Sequence, residues 1–129
     1  MIQRFIELGE GYSDIYELIE IAKSNKDRIH RFLRLDTTVG ERKMTSTAVV
    51  LNPAAPGNLM PIYICREGIV NPDQKANQRY SLFLDCATDC GQTIHQLEIK
   101  NSQKFEEKDL FYQYLIGILR MNRFIPPLS

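Results

Sequence analysis

Three groups of residues in this chain have types and spacings that chemistry could use. Cys86 and Cys90 stand four apart, which makes their side chains neighbours on a helix, and His95 follows. Two thiolates and an imidazole could begin a tetrahedral zinc site. A fourth ligand at matching spacing is not evident, and a cysteine on a helix stripe is more often a small core residue, so no metal is expected. Cys65 could be a nucleophile only with a histidine base beside it and an electropositive setting. His30 and His95 are the two histidines available, and nothing in the sequence sets either next to it. Arg66, followed by Glu67 and Gly68, falls at the end of an expected strand, just ahead of an expected helix start at Asn71 and Pro72. Ligands gather at such strand ends, and free N–H groups at helix starts attract anions. Arg66 and Asn71 are therefore candidate anion-binding residues, with a surface Arg–Glu pair as the alternative.

Other chemistries have no visible machinery. The chain carries no Gly-x-Gly-x-x-Gly, no P-loop and no Gly-x-Ser-x-Gly, so phosphoryl transfer from a nucleotide is not expected and no cofactor is implied. The 16 Lys and Arg residues balance 16 Asp and Glu. A dedicated nucleic-acid binder draws most of its affinity from neutralising phosphates, so net charge gives that class no support. The one basic concentration, Lys23, Lys26, Arg28, His30, Arg31 and Arg34, is diluted by Asp27 and Asp36 and reads as a solvated edge.

The elements that must position these residues follow from periodicity. At 129 residues, with 43% apolar and 25% charged side chains, the chain suits a single domain over 1–129 with a real core. Ile2, Ile6 and Leu8 share a strand face and suggest an edge strand. Ile15, Leu18, Ile19 and Ala22 form one apolar helical stripe behind a cap at Asp14 or Ser13. Residues 29–38 read as a strand with Ile29, Leu33 and Leu35 on one face and Arg31 as the exception. A turn at 39–41 pairs it with 44–51, which is rich in β-branched residues. After a Pro- and Gly-rich loop, residues 60–66 form a third strand with Ile62 and Ile64 on one side and Tyr63 and Cys65 on the other.

A helix is expected from Asn71 and Pro72 to Cys90, with Ala76, Tyr80, Phe83, Ala87 and Cys90 buried and Gly91 in the left-handed position after its end. Residues 93–100 make a fourth strand and 107–122 a last helix, followed by the apolar tail Phe124 to Leu128. The order is (β)-α-β-β-β-α-β-α. An antiparallel three-strand meander followed by a helical crossover gives an α/β (α+β) fold, a mixed sheet with helices packed on it.

That order is similar to the core of the restriction-endonuclease-like nucleases. The resemblance implies an Asp on the second meander strand and a Glu-x-Lys on the third, holding Mg²⁺ and a water. Residues 44–51 contain no acid, and no Lys stands two residues after Glu67. Pro72-Asp73 and Glu98-Ile99-Lys100 spell the motif letters in order, but a helix separates them where those enzymes have a hairpin. A metal-dependent nuclease or other small hydrolase is thus the alternative function.

The last helix departs from routine, because apolar residues from Leu110 to Met121 run around its whole circumference. Such a helix must be covered on all sides. Either a partner subunit covers it, through Phe111, Leu115, Ile118 and Phe124, or the first helix and the tail do. The leading expectation is a non-enzymatic binding or regulatory protein that forms a homo-oligomer through this helix.

The N-terminus lacks the apolar region and cleavage site of a signal peptide, and no stretch approaches the roughly 18 consecutive apolar residues of a membrane span. Three cysteines are an odd number and not a disulfide framework, so a reducing cytoplasm is the expected compartment. The segments Phe5-Ile6-Glu7-Leu8-Gly9-Glu10-Gly11-Tyr12-Ser13, Tyr63-Ile64-Cys65-Arg66-Glu67-Gly68 and Gln113-Tyr114-Leu115-Ile116-Gly117-Ile118-Leu119-Arg120-Met121-Asn122 carry a further likeness. In them the chain resembles a small uncharacterised family of conserved proteins of Bacillus-type bacteria (Firmicutes). That resemblance implies a bacterial cytosolic protein and supplies no activity and no site residues.

Overall fold

The computed structural model describes residues 3–8, 14–39, 42–55, 59–75, 77–99 and 108–125. Its elements run β1 (Gln3–Glu7), α1 (Asp14–Ser24), a 3-10 turn (Lys26–Arg28), β2 (Ile29–Val39), β3 (Arg42–Leu51), β4 (Met60–Val70), α2 (Gln78–Asp89), β5 (Ile94–Ile99) and α3 (Lys108–Met121). The fold is α+β, built on a mixed five-stranded sheet of order β1-β4-β3-β2-β5.

β2, β3 and β4 form the antiparallel meander. β5 returns parallel to β2, and β1 lies parallel to β4 at the far edge. Because β3 opposes both of its neighbours, the other four strands share one direction. Their carboxyl ends meet along one edge of the sheet.

Both faces of the sheet are covered. On one, Leu18 and Ala22 of α1 and Phe83 and Ala87 of α2 pack on Phe32, Val49 and Cys65. On the other, Leu115 and Leu119 of α3 pack on Leu33, Leu35, Val50 and Ile62. A strand points successive side chains to opposite faces, so a doubly covered sheet needs nearly continuous apolar runs. Residues 62–65 supply one, with Ile62 and Ile64 towards α3 and Tyr63 and Cys65 towards α1 and α2. An Arg120 Nε bond to Gln3 Oε1, 2.9 Å long, ties α3 to the edge strand.

Three expectations are corrected here. The helix anticipated from Asn71 and Pro72 begins at Gln78, where Asn77 Oδ1 accepts from Arg79 N at 2.9 Å and Tyr80 N at 3.3 Å. Asn71 makes a lone turn instead, its carbonyl accepting from Gln74 and Lys75 N–H and its side chain from Asp73 N–H. The helix does end as expected, with Gly91 at φ +70°.

β4 runs past Arg66 to Val70 through a slip in register. A step of four residues in β4, Cys65 to Ile69, matches a step of two in β3, Thr47 to Thr45. The two surplus residues mask the alternation by which a strand is read. A second slip lies between Ile29 and Arg31. It turns Ile29 towards α1 and α2, while Leu33 and Leu35 face α3.

Candidate functional site

On the α1–α2 face, three adjacent strands change from apolar to polar in the same direction. β2 reads Phe32, Arg34, Asp36, Thr38; β3, running the other way, reads Val49, Thr47, Thr45, Lys43; β5 reads Ile94, Gln96, Glu98. The register aligns them, pairing Asp36 with Thr45 and Glu98, Thr38 with Lys43, and Arg34 with Gln96. The apolar half lies under the helices. The polar half lies at the carboxyl edge of the parallel strands, where α/β folds commonly place ligands.

At the centre of that half are two buried charges. Arg34 is 4% exposed and Asp36 6%. Arg34 Nε donates to Asp36 Oδ1 at 3.0 Å. Asp36 Oδ1 also accepts from Thr45 Oγ1, and Asp36 Oδ2 from Gln96 Nε2, both at 2.6 Å. On the other side, Arg34 Nη2 donates to Asn71 Oδ1 at 3.1 Å and to Asp73 Oδ2 at 3.0 Å, and the guanidinium lies 5.1 Å from the centre of the Tyr80 ring. Burial works against the Arg34 charge. Hydrogen bonds to Asp36, Tyr80 and Asp73, with the charge of Asp36, outweigh it and hold the arginine above its ordinary pKa. Buried charges are tolerated only when paired and hydrogen-bonded, and here both partners are.

Beside this network lies a cavity of about 240 Å³, lined by Asp36, Thr37, Thr38, Lys43, Asn71, Glu98 and Ile99. Four elements contribute to it: the ends of β2 and β5, the start of β3, and the turn after β4. The Thr37 hydroxyl is buried without a hydrogen-bond partner. Lys43 and Glu98 form no ion pair among the described residues.

The anticipated site residues scatter around this arrangement. Asn71 lines the cavity, but as the acceptor that holds Arg34 and not as a helix cap. Arg66 stands at the register slip inside β4, and its side chain lies outside the described residues. Cys65 and Cys86 belong to the α1–α2 core, with Cys90 against it. His95 sits on the opposite face, its ring 5.0 Å from that of Phe124. His30 lies beside the Phe124 backbone and His95, so the sheet separates the thiols from both histidines, and the zinc and thiol–imidazole constellations do not assemble. Among the described residues, no group of three or more His, Cys, Asp and Glu could hold a metal ion. Of the nuclease letters, Asp73 is paired with Arg34 and Glu98 lines the cavity, while Lys100 lies outside the described residues.

Of the anticipated interface residues, Leu115 is fully buried against the sheet. Phe124 is half-buried and packs on the same core, and Ile118 is half-buried. The side chain of Phe111 lies outside the described residues. The sheet and the segment through Ile125 cover much of α3, whereas α1 lies on the other face. The exposed stripe of α3 is Gln113, Gly117 and Met121, the last 84% exposed.

A family model, described as a domain of unknown function (DUF7147), matches residues 1–125. The chain belongs to this DUF7147 family. No curated protein and no solved structure matches it. Arg34 and Asp36, expected on a solvated edge, are buried in this DUF7147 chain, and Thr45 and Gln96 are the site residues that the sequence did not single out. Their signal was the appearance of polar side chains at alternate positions of otherwise apolar strands, all at the same end.

Proposed function

We propose that this chain is a non-enzymatic binding or regulatory protein that holds a small polar ligand at the carboxyl edge of its sheet. The observation that carries the reading is the cavity beside the buried Arg34–Asp36 pair. A rigid, hydrogen-bonded polar floor under rim charges that form no ion pair among the described residues suits recognition, which needs fixed donors and acceptors. The chemistry of the floor suits catalysis less well. Asp36 is fixed in place by three hydrogen bonds, and among the described residues no group of three or more His, Cys, Asp and Glu stands together as a metal site. A nuclease-like hydrolase is therefore the weaker reading.

Self-association through α3 is the second part of the proposal. The stripe Gln113, Gly117 and Met121 is exposed, and half-buried Tyr114 and Ile118 flank it. A second copy could seat there in a symmetric homodimer. Residence in the cytoplasm of a Bacillus-type bacterium completes the reading, supported by three free thiols, two of them buried.

The binding claim is tested by titrating a library of small polar metabolites into isotope-labelled protein. Saturable shifts of the Thr37, Thr38, Asn71 and Glu98 amides support it, and a library that moves none of them ends it. For self-association, light scattering should give twice the chain mass, and Met121→Glu should return the mass to one chain. A chain that is already monomeric at tens of micromolar would remove this part of the proposal.

A further inference from the structure

The class of ligand can be narrowed, resting on the reading of this cavity as a binding site. Two opposite charges face the cavity from either side of β2. Lys43 is paired in register with Thr38, and Glu98 with Asp36, so all four side chains share one face. Two strand spacings and an offset of two residues put the Lys43 and Glu98 Cα atoms roughly 12 Å apart. Among the described residues neither charge has an ion-pair partner.

The deeper polar groups divide in the same way. Among the described residues Asp36 Oδ2 accepts a hydrogen bond from Gln96 alone, and a carboxylate oxygen has room for a second. Asn71 Oδ1 is taken by Arg34 and Asp73 N–H, which leaves its amide nitrogen as a donor. Asp36 and Glu98 against Lys43 leave a lining of net charge −1, and the adjacent Arg34 and Asp73 cancel each other. The volume of about 240 Å³ has room for a small metabolite.

We infer that the cavity binds a small zwitterion of the free amino-acid class, its ammonium directed to Glu98 and Asp36 and its carboxylate to Lys43 and the Asn71 amide. The ligand joins two charges that form no ion pair among the described residues. The excess negative charge makes the ammonium the stronger anchor.

The test is a titration of labelled protein, followed through the Thr37, Thr38, Asn71, Glu98 and Ile99 amides. The probes are the proteinogenic amino acids, ethanolamine as an amine alone, acetate as a carboxylate alone, and glycerol as an uncharged control. At least one amino acid should bind saturably and at least tenfold more tightly than any of the other three. Glu98→Gln and Lys43→Met should each weaken that binding roughly tenfold or more, since a lost charge-assisted hydrogen bond is of that size. Both residues are exposed, so the unfolding midpoint should stay in place. If ethanolamine, acetate or glycerol binds as tightly as the best amino acid, or if the two variants bind as the parent does, the zwitterion assignment is overturned while the cavity remains a ligand site. If no probe shifts these amides, the assignment is overturned; if the wider metabolite library also fails, so is the binding reading beneath it.

Discussion

Arg34 Nε and Asp36 Oδ1 lie 3.0 Å apart on side chains two residues apart in β2, which puts both on one face of the strand. Asp73, the other acid on Arg34, is 70% exposed at its side chain and contributes less as a partner, because water screens it. Removing Asp36 would leave a buried guanidinium with mostly neutral partners. Asp36→Ala should therefore cost about 3–5 kcal/mol in denaturant unfolding. The double change Arg34→Met with Asp36→Leu should cost less than Asp36→Ala alone, since no uncompensated charge remains buried. Equal losses would mean that the pair is not coupled as drawn.

Asn71 and Asn77 precede the same helix, but they should respond differently to truncation. Asn77 caps α2, and Asn77→Ala should cost about 1 kcal/mol, the usual value of an N-cap. Asn71 is 5% exposed and accepts from both Arg34 and Asp73 N–H. Its loss removes one acceptor from the buried Arg34 guanidinium and the acceptor of the Asp73 N–H, so Asn71→Ala should cost about 2–4 kcal/mol. Unfolding midpoints of the two variants in one denaturant series decide the order. A larger loss at Asn77 would show that the turn at 71–75 contributes little.

The contrast between these two asparagines also marks what could be read from sequence. Asn71 and Pro72 have the residue types of a helix start, but the buried arginine that recruits Asn71 comes from a strand 37 residues earlier, and no local pattern reports it. The elements themselves were legible because periodicity is local: the α1 stripe, the three-strand meander and the Gly91 terminus all stand where their residues put them. Register slips were not. Each adds residues without changing composition, so strict alternation puts Ile29 on the wrong face and ends β4 at Arg66. The site depends on alignment among three strands, and alignment is set by tertiary pairing.

The three thiols should differ in reactivity. Burial, followed by the neighbouring Cys90 thiol, pushes the Cys86 pKa up to about 11, so very little reactive thiolate forms near neutral pH. Cys65 is buried as well, whereas Cys90 is partly exposed. Alkylation of the native protein at pH 7.5, read by peptide mass spectrometry, should label Cys90 first and reach Cys65 and Cys86 only on unfolding. Rapid native labelling of Cys86 would contradict its place in the α1–α2 core.

Acid should weaken the fold from the α3 side. Burial lowers the pKa of His30, assisted by the Arg31 charge and against a hydrogen bond to the Phe124 backbone; burial and Arg31 lower that of His95. Both histidines are therefore harder to protonate in the folded chain than in the unfolded one, whose imidazoles titrate near ~6.5. The unfolded state binds more protons in this window, so stability falls as pH drops through the unfolded value and keeps falling until the folded values are passed. Above the unfolded value the contribution is fully present. Denaturation midpoints taken between pH 8 and pH 5 should be level at the upper end and decline below pH 6.5, and His30→Gln with His95→Gln should flatten much of that decline. A decline that persists unchanged in the double variant would assign the acid sensitivity elsewhere, and the packing of Phe124 on His95 would then have no part in it.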